Sequence, residues 1–250
     1  MDRSTPLAVA TATTLEMRAV LQGVGAPAGN GHAPEQGEAA LARLCGRDCL
    51  LLVTGVGPVN AALALGGVLG PIGAMPGEAA HQPPVCGVLN LGVAGSFDLE
   101  AAPLCAATTA TMEIWPEYGL VTATGVDPKG ITLAQGRLGQ EPVWDRLPLD
   151  PDAAARELDL DMPRDAARGA SITVAGVSGT AERAARLRGA YAPLTENMEG
   201  FALAFACARC GVPFLEVRTV SNLVGSRATE HWALEAALHA LGQAARTLFA

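Results

Sequence analysis

Two kinds of block alternate along this chain: short, nearly continuous apolar runs, and longer stretches whose apolar residues recur at helical spacing. The runs "PLAVATAT" (6–13), "CLLLVTG" (49–55), "VCGVLNLG" (85–92), "PLCAATTATMEI" (103–114), "GLVTATGV" (119–126), "ASITVAGVSG" (170–179) and "PFLEVRTVSN" (213–222) read as strands. Continuous apolar runs are expected of strands covered on both faces. Helical spacing marks 14–23, the stretch after Pro58, 180–192, "FALAFACARC" up to Gly211, and an amphipathic segment over 230–249. Pro58 suits a first helical position and Gly211 a helix end. The glycine- and proline-rich stretches predict loops at 23–45 and 70–84. Residues 139–170 mix proline and charge with no clean period, and "LDLDMPRD" within them takes no assignment.

Strands alternating with helices predict an α/β fold, a single domain over 1–250 with a central mixed, largely parallel sheet flanked by helices. Sheets of this kind bind ligands outside the carboxyl ends of their strands. That rule selects "TTLE" (13–16), "TGVGPVN" (54–60), "LGVAGS" (91–96) and "SN" (221–222), with Glu199 joining them from the mouth of a helix.

Composition narrows the function classes. The 250 residues are 50% hydrophobic, enough for a sizeable core. A formal charge of −8, with Lys129 the only lysine and no basic run, argues against nucleic acid and against an anionic membrane surface. No apolar stretch reaches membrane-span length, and the N-terminal run is threonine-rich and broken at once by Glu16 and Arg18. The expectation is a soluble, cytoplasmic protein. Six scattered cysteines make no disulfide framework, and the Cys207-x-x-Cys210 pair, at a helix end where the dipole does not favour a thiolate, reads as ordinary thiols. The histidines are isolated, so no metal is expected.

Each candidate has a plain structural reading beside its chemical one. Thr13-x-x-Glu16 is a capping box, which explains Glu16 without catalysis. "GVGPVN" lacks the third glycine of a dinucleotide fingerprint, yet a glycine turn opening a helix can still hold an anion or a hydroxyl-rich ligand. Gly92 and Gly95 are either turn residues or sites of close backbone approach to a flat ligand. Glu216 and Arg218 share a strand face and could simply pair. Glu199 could complement its helix dipole, but Met198 before it, Gly200 after it and the following "RTVSN" strand end form a combination that composition does not explain.

The stretch "NMEGFALAFACARCGVPFLEVRTVSN" resembles the signature of the purine nucleoside phosphorylase and nucleosidase superfamily. "LNLGVAGSFD" and "TGVGPVNAALALG" are similar to that family's base-and-ribose loop and glycine turn, and "ATTLEM" to the nucleosidase stretch carrying the carboxylate that activates water. The resemblance covers most of the chain and weakens in 23–45 and 100–170. It implies a nucleoside phosphorylase-like fold, a small-molecule purine nucleoside as substrate, no cofactor, and a homo-oligomer, dimer or larger.

By resemblance, Glu16 would activate water, Glu199 would bind the ribose hydroxyls, and Met198 would pack under the sugar. Val93, Ala94 and Gly95 would line the base loop, and Asn222 would assist the leaving base. Two departures carry information. Val93 stands where the nucleosidases have serine, and Asn222 where they have aspartate. An amide can donate to the neighbouring acceptors of a 6-oxopurine, whereas an ionised aspartate can only accept. Asn222 therefore points to hypoxanthine rather than adenine, and "SNLVGSR" and "EIWPEYG" are similar to a hydrolytic branch of the family. The aromatic residue expected after Ser178–Gly179 is missing, so base stacking has no assigned residue. A methylthioadenosine/S-adenosylhomocysteine nucleosidase, a phosphate-dependent phosphorylase and a non-catalytic nucleoside-binding module are the alternatives.

Overall fold

The structure is a computed structural model and describes residues 5–26, 32–70 and 84–250. Its strands are β1 (Leu7–Thr11), β2 (Ala39–Leu44), β3 (Arg47–Val53), β4 (Gly87–Ser96), β5 (Ala107–Ile114), β6 (Leu120–Thr122), β7 (Gly125–Asp127), β8 (Gly136–Leu138), β9 (Glu141–Val143), β10 (Arg146–Pro148), β11 (Ala167–Thr173), β12 (Thr195–Asn197) and β13 (Phe214–Leu223). Its helices are α1 (Thr14–Gly23), α2 (Pro58–Leu69), α3 (Pro151–Leu158), α4 (Ala181–Tyr191), α5 (Gly200–Cys210) and α6 (Leu234–Leu248).

β1 is buried at every position because it runs parallel between β3 and β4 with helices over both faces. The period-2 geometry of a strand sends its side chains to opposite sides. Leu7 and Val9 pack with Met17 of α1 and Leu241 of α6, while Ala8 and Ala10 pack with Leu65 of α2 and Phe201 of α5. Each fully buried leucine-sized side chain contributes about 1.5–3 kcal/mol relative to exposure, so this two-sided arrangement fixes the register of the central strand. β4 continues the parallel run into β13. Beyond it the sheet curls: β13 pairs with β5, β5 with β11, β11 with β12, and β12 returns to β4. Five strands thus close into a ring at one end of the sheet, and β2 forms the other edge beside β3. The mixed, largely parallel sheet expected from the sequence is the one observed.

Three expectations need correction. The loop expected over 23–45 contains β2, an antiparallel edge strand whose residues are largely exposed or half-buried. An edge strand covered on one side lacks the apolar run of a central one. The strand expected at 119–126 is a hairpin of β6 and β7. The unassigned span 139–170 holds β9, β10 and α3, the last capped by Asp150, whose carboxylate accepts from Ala153 N. "LDLDMPRD" begins at the last residue of α3, which Asp159 ends in the left-handed region (φ +53°). The loop expected at 70–84 lies, from 71 to 83, outside the described residues.

Candidate functional site

The mouth of α1 follows β1 directly, and its local chemistry matches the sequence pattern. Thr13 Oγ1 accepts from Glu16 N (3.2 Å), while Glu16 Oε2 accepts from Thr13 N (2.9 Å) and Thr13 Oγ1 (2.8 Å). The capping box is therefore real. It uses only one carboxylate oxygen, and Oε1 crosses to β4, where Val93 N donates to it at 2.9 Å. Gly92 makes this approach possible. A Cβ there would lie 2.8 Å from Glu16 Oε1 and 3.0 Å from Arg218 Nη1.

Glu199 behaves differently. It stands at the N-cap of α5 without capping that helix through its side chain. Asn197 does so instead, its Oδ1 accepting from Glu199 N (2.9 Å) and Gly200 N (2.8 Å). The carboxylate of Glu199 reaches across the sheet to the N-terminus of α2, where Gly57 N donates to Oε1 at 2.9 Å. Gly57 has φ +94°, a region that favours glycine. The "TGVGPVN" turn thus does hold an anion at a helix N-terminus, and that anion is the protein's own carboxylate. Burial pushes the Glu199 carboxyl above the ordinary carboxylate range, with Arg218 and the Gly57 N–H opposing the shift.

Arg218 lies between the two carboxylates. The pairing with Glu216 open at the sequence level is present, Nε to Oε1 at 2.6 Å. The guanidinium does more, donating to Val93 O (3.1 Å) and lying 3.5 Å from Glu199 Oε2. Burial works against its charge, but Glu216, Glu199 and Glu16 outweigh burial and raise its pKa. Sequence reasoning placed Arg218 in a strand pair and missed its place between Glu16 and Glu199. The available signal was a cation in the middle of a largely apolar strand.

The same strand delivers Asn222. The β13–β4 register shifts between Val220 and Asn222, leaving Ser221 as the extra residue and setting Asn222 opposite Gly95. Bulges of this kind re-aim side chains beside binding sites. Asn222 Nδ2 would lie 3.0 Å from a Cβ on Gly95, and Ser221 Oγ donates to Asn222 Oδ1 (2.9 Å) and is 3.3 Å from Ala94 O. "LGVAGS" is accordingly the end of β4 rather than a turn, and both its glycines make room for side chains of other elements. Met198 is half-buried beside Glu199, and Val93 is half-buried at the β4 end. In the segment where an aromatic was expected, Ser178 N and Oγ both donate to buried Glu196 (2.8 and 2.5 Å) and Thr180 caps α4.

Glu16, Val93, Gly57, Glu199 and Arg218 form one hydrogen-bonded group, and Ala94, Gly95 and Asn222 continue it along β4 and β13. Most lie at or just past the carboxyl ends of β1, β3, β4 and β13, or at the α5 mouth, and Arg218 reaches them from the middle of β13. Two buried carboxylates flank one guanidinium there; Glu16 Oε2 is filled by Thr13, while Glu16 Oε1 and both Glu199 oxygens each retain a lone pair for a further donor.

A sequence profile of the phosphorylase superfamily matches residues 6–250. The chain is 36% identical over 240 residues to a futalosine hydrolase of Streptomyces coelicolor, covering 95% of this chain and 92% of that one. It is 34% identical over 213 residues to a futalosine hydrolase of Thermus thermophilus, covering 83% and 84%. Among solved structures, the native futalosine hydrolase of Helicobacter pylori superposes with a TM-score of 0.69 at 17% identity, covering 99% of this chain and 96% of that one; it supports the fold. The chain belongs to the phosphorylase superfamily and, within it, to the family of the futalosine hydrolases.

Proposed function

We propose that the protein is an N-glycosyl hydrolase that cleaves futalosine into hypoxanthine and dehypoxanthine futalosine, a step of the futalosine route to menaquinone. The observation that carries this reading is the convergence of buried Glu16 and Glu199 on Arg218 and Val93 at the strand ends.

Breaking the bond between purine and ribose develops positive, oxocarbenium-like charge on the sugar and negative charge on the departing base. Glu16 takes a proton from the attacking water, a role worth a factor of about 10²–10⁴. Its second contact, to Val93 N, holds the carboxylate in the orientation that the capping box alone leaves to one oxygen. Glu199 accepts hydrogens from the ribose hydroxyls, with Met198 packing under the sugar. Asn222 donates an amide hydrogen to the 6-oxopurine as negative charge builds on it, its other hydrogen facing Leu223 O (3.3 Å) and its oxygen being engaged by Ser221. Val93, Ala94 and Gly95 bring the β4 backbone against the base. Water rather than phosphate is the nucleophile in this reading. The Gly57 amide faces Glu199, Arg218 is paired with Glu216, and Val93 offers no hydroxyl.

The protein acts as a homo-oligomer in this reading. Val59 and Leu63, one turn apart on α2, are 78% and 76% exposed, and Val56 just before that helix is also exposed. Contiguous exposed apolar residues of this kind suit a subunit contact. The enzyme is cytoplasmic in this reading. No helix among the described residues is long and apolar enough to cross a membrane.

Chromatography of the purified protein with futalosine, inosine and methylthioadenosine, each with and without phosphate, tests the reaction. Free hypoxanthine from futalosine without phosphate is the expected result. Strict phosphate dependence with a sugar phosphate as product would assign a phosphorylase instead.

A further inference from the structure

Behind Glu199, inside the five-strand ring, lies a second acid pair that the reaction does not use. Glu113 of β5 is fully buried, and Glu216 of β13 nearly so. A Cβ on Gly200 would lie 2.3 Å from Glu113 Oε1 and 2.6 Å from Glu216 Oε2, so the first residue of α5 is seated directly on both carboxyl groups. Four buried carboxyl groups, Glu16, Glu113, Glu199 and Glu216, then share the single guanidinium of Arg218.

Of the two acids, Glu216 pairs with the Arg218 guanidinium at 2.6 Å, whereas the hydrogen bonds to Glu113 involve the uncharged Thr173 and Asn197, so Glu113 is the one placed to carry a proton. Thr173 Oγ1 has one hydrogen and two acceptors in reach, Glu113 Oε2 at 2.7 Å and Asn197 Oδ1 at 2.9 Å. An ionised Glu113 leaves one of these short contacts without a hydrogen. A neutral Glu113 supplies a hydrogen to both, donating to Thr173, which turns its own hydrogen to Asn197 Oδ1 as a third donor beside two backbone N–H groups. The other oxygen, Oε1, accepts from Asn197 Nδ2 at 2.8 Å. These partners are also the cap of α5. Asn197 Oδ1 takes the N–H groups of Glu199 and Gly200, and Thr173 Oγ1 takes that of Phe201 at 2.7 Å.

We propose that Glu113, held as a neutral carboxylic acid, is a positioning residue for the nucleoside site: by donating to Thr173 and accepting from Asn197 it fixes the mouth of α5 from which Glu199 projects. The inference rests on the assignment of Glu199 to the ribose hydroxyls. Burial, then the charge of Glu216, raise the Glu113 carboxyl well above the ordinary range, against Thr173, Arg218 and Asn197, which lower it. Charge neutrality also has a use. A further negative charge beside Glu199 would favour its protonated form, in which one oxygen no longer accepts from a hydroxyl.

Glu113→Gln and Glu113→Ala test this. The glutamine amide reproduces the pattern of a neutral acid, one donor toward Thr173 and one acceptor toward Asn197. Infrared difference spectra of wild type against Glu113→Gln at neutral pH should show the carbonyl stretch of a neutral carboxylic acid, present only in the wild type; its absence overturns the proposal. A buried neutral acid binds its proton more tightly folded than unfolded, so wild-type stability falls as pH rises above the unfolded carboxylate pKa. The melting temperature of Glu113→Gln relative to wild type should therefore climb as pH rises from 5 to 8, and parallel curves count against us. Neither measurement involves substrate.

In kinetics, Glu113→Gln should keep kcat/KM within about threefold, while Glu113→Ala should lose about 10–10²-fold, as misplaced binding groups do. The alanine variant should also lose the wild type's preference for futalosine over its 2′-deoxy analogue. Preference retained in a merely less stable alanine variant overturns the role of Glu113 alone. Indifference to the hydroxyl in the wild type overturns the assignment of Glu199. Should Glu113→Ala not fold, a loss of tenfold or more in the folded glutamine variant is the result that sinks the positioning role.

Discussion

The mouths of α1 and α5 each present a glutamate to the same space, and they are built in opposite ways. Glu16 closes a capping box within its own turn and extends a spare oxygen to Val93. Glu199 leaves the capping of its helix to Asn197 and Thr173 and serves the N-terminus of α2 instead. One carboxylate is anchored first by a neighbour three residues away and then by Val93, the other by groups from distant parts of the chain alone. A helix-mouth acid is therefore not explained by the dipole behind it until its side chain has been followed to its partner.

The sharpest way to break this comparison is at Glu16. Glu16→Gln keeps a capping-box residue, so the protein should fold and bind ligand while turnover falls by about 10²–10⁴. Chromatographic turnover read beside the melting temperature decides the matter. Normal turnover with a lowered melting temperature would reduce Glu16 to its local role.

Glu199→Gln comes next. Charge-assisted bonds are worth about 1.5–3 kcal/mol each, whereas a surface dipole contact is worth about 0.3–1 kcal/mol. The loss should fall on kcat/KM and shrink for a 2′-deoxy substrate; equal penalties in wild type and variant would remove Glu199 from that hydroxyl. Its raised pKa gives a companion expectation with a definite sign. The carboxylate must be ionised to accept two hydroxyl hydrogens, so kcat/KM should fall as pH drops, on an acid limb lying above the usual carboxylate value. An acid limb unchanged in Glu199→Gln would assign it to another group.

Asn222→Asp should cost about tenfold with a hypoxanthine nucleoside, the scale of one unpaired polar group, and shift preference toward adenine. Competition between inosine- and adenosine-type substrates measures it. The smallest effect belongs to Thr13→Ala, which removes the hydroxyl half of the capping box. About 0.5–2 kcal/mol of stability should be lost, visible in denaturant midpoints, with a much smaller effect on turnover than Glu16→Gln.

What could be read from the sequence follows the same division. The bounds of α1 and the start of α2 are local statements, made by Thr13-x-x-Glu16 and Pro58, and Gly211 ends α5 with φ +65°. α3 had comparable local signals in Asp150 and Pro151, but its eight residues are too few to show a period. β2 was hidden because an edge strand carries exposed positions amid glycine and proline. Glu16, Glu199 and Asn222 were legible as residues through the family resemblance. Arg218's reach to Val93, the Glu199–Gly57 bond and the Glu113–Glu216 pair were not. Each depends on strands that the closed ring brings together, and no local pattern encodes that closure.

The bond from Gly57 to Glu199 spans 142 positions, and this bears on synthesis as much as on binding. A ribosome releases the Gly57 turn long before the carboxylate that fills it, and Arg218 comes later still. Contacts of such separation form only after the intervening chain has been gathered in. A nascent chain that has exposed its first few strands holds Glu16 and the Gly57 turn of the proposed nucleoside site but neither Glu199 nor Arg218. Ligand can therefore stabilise the product only after release is nearly complete, and not guide its early collapse.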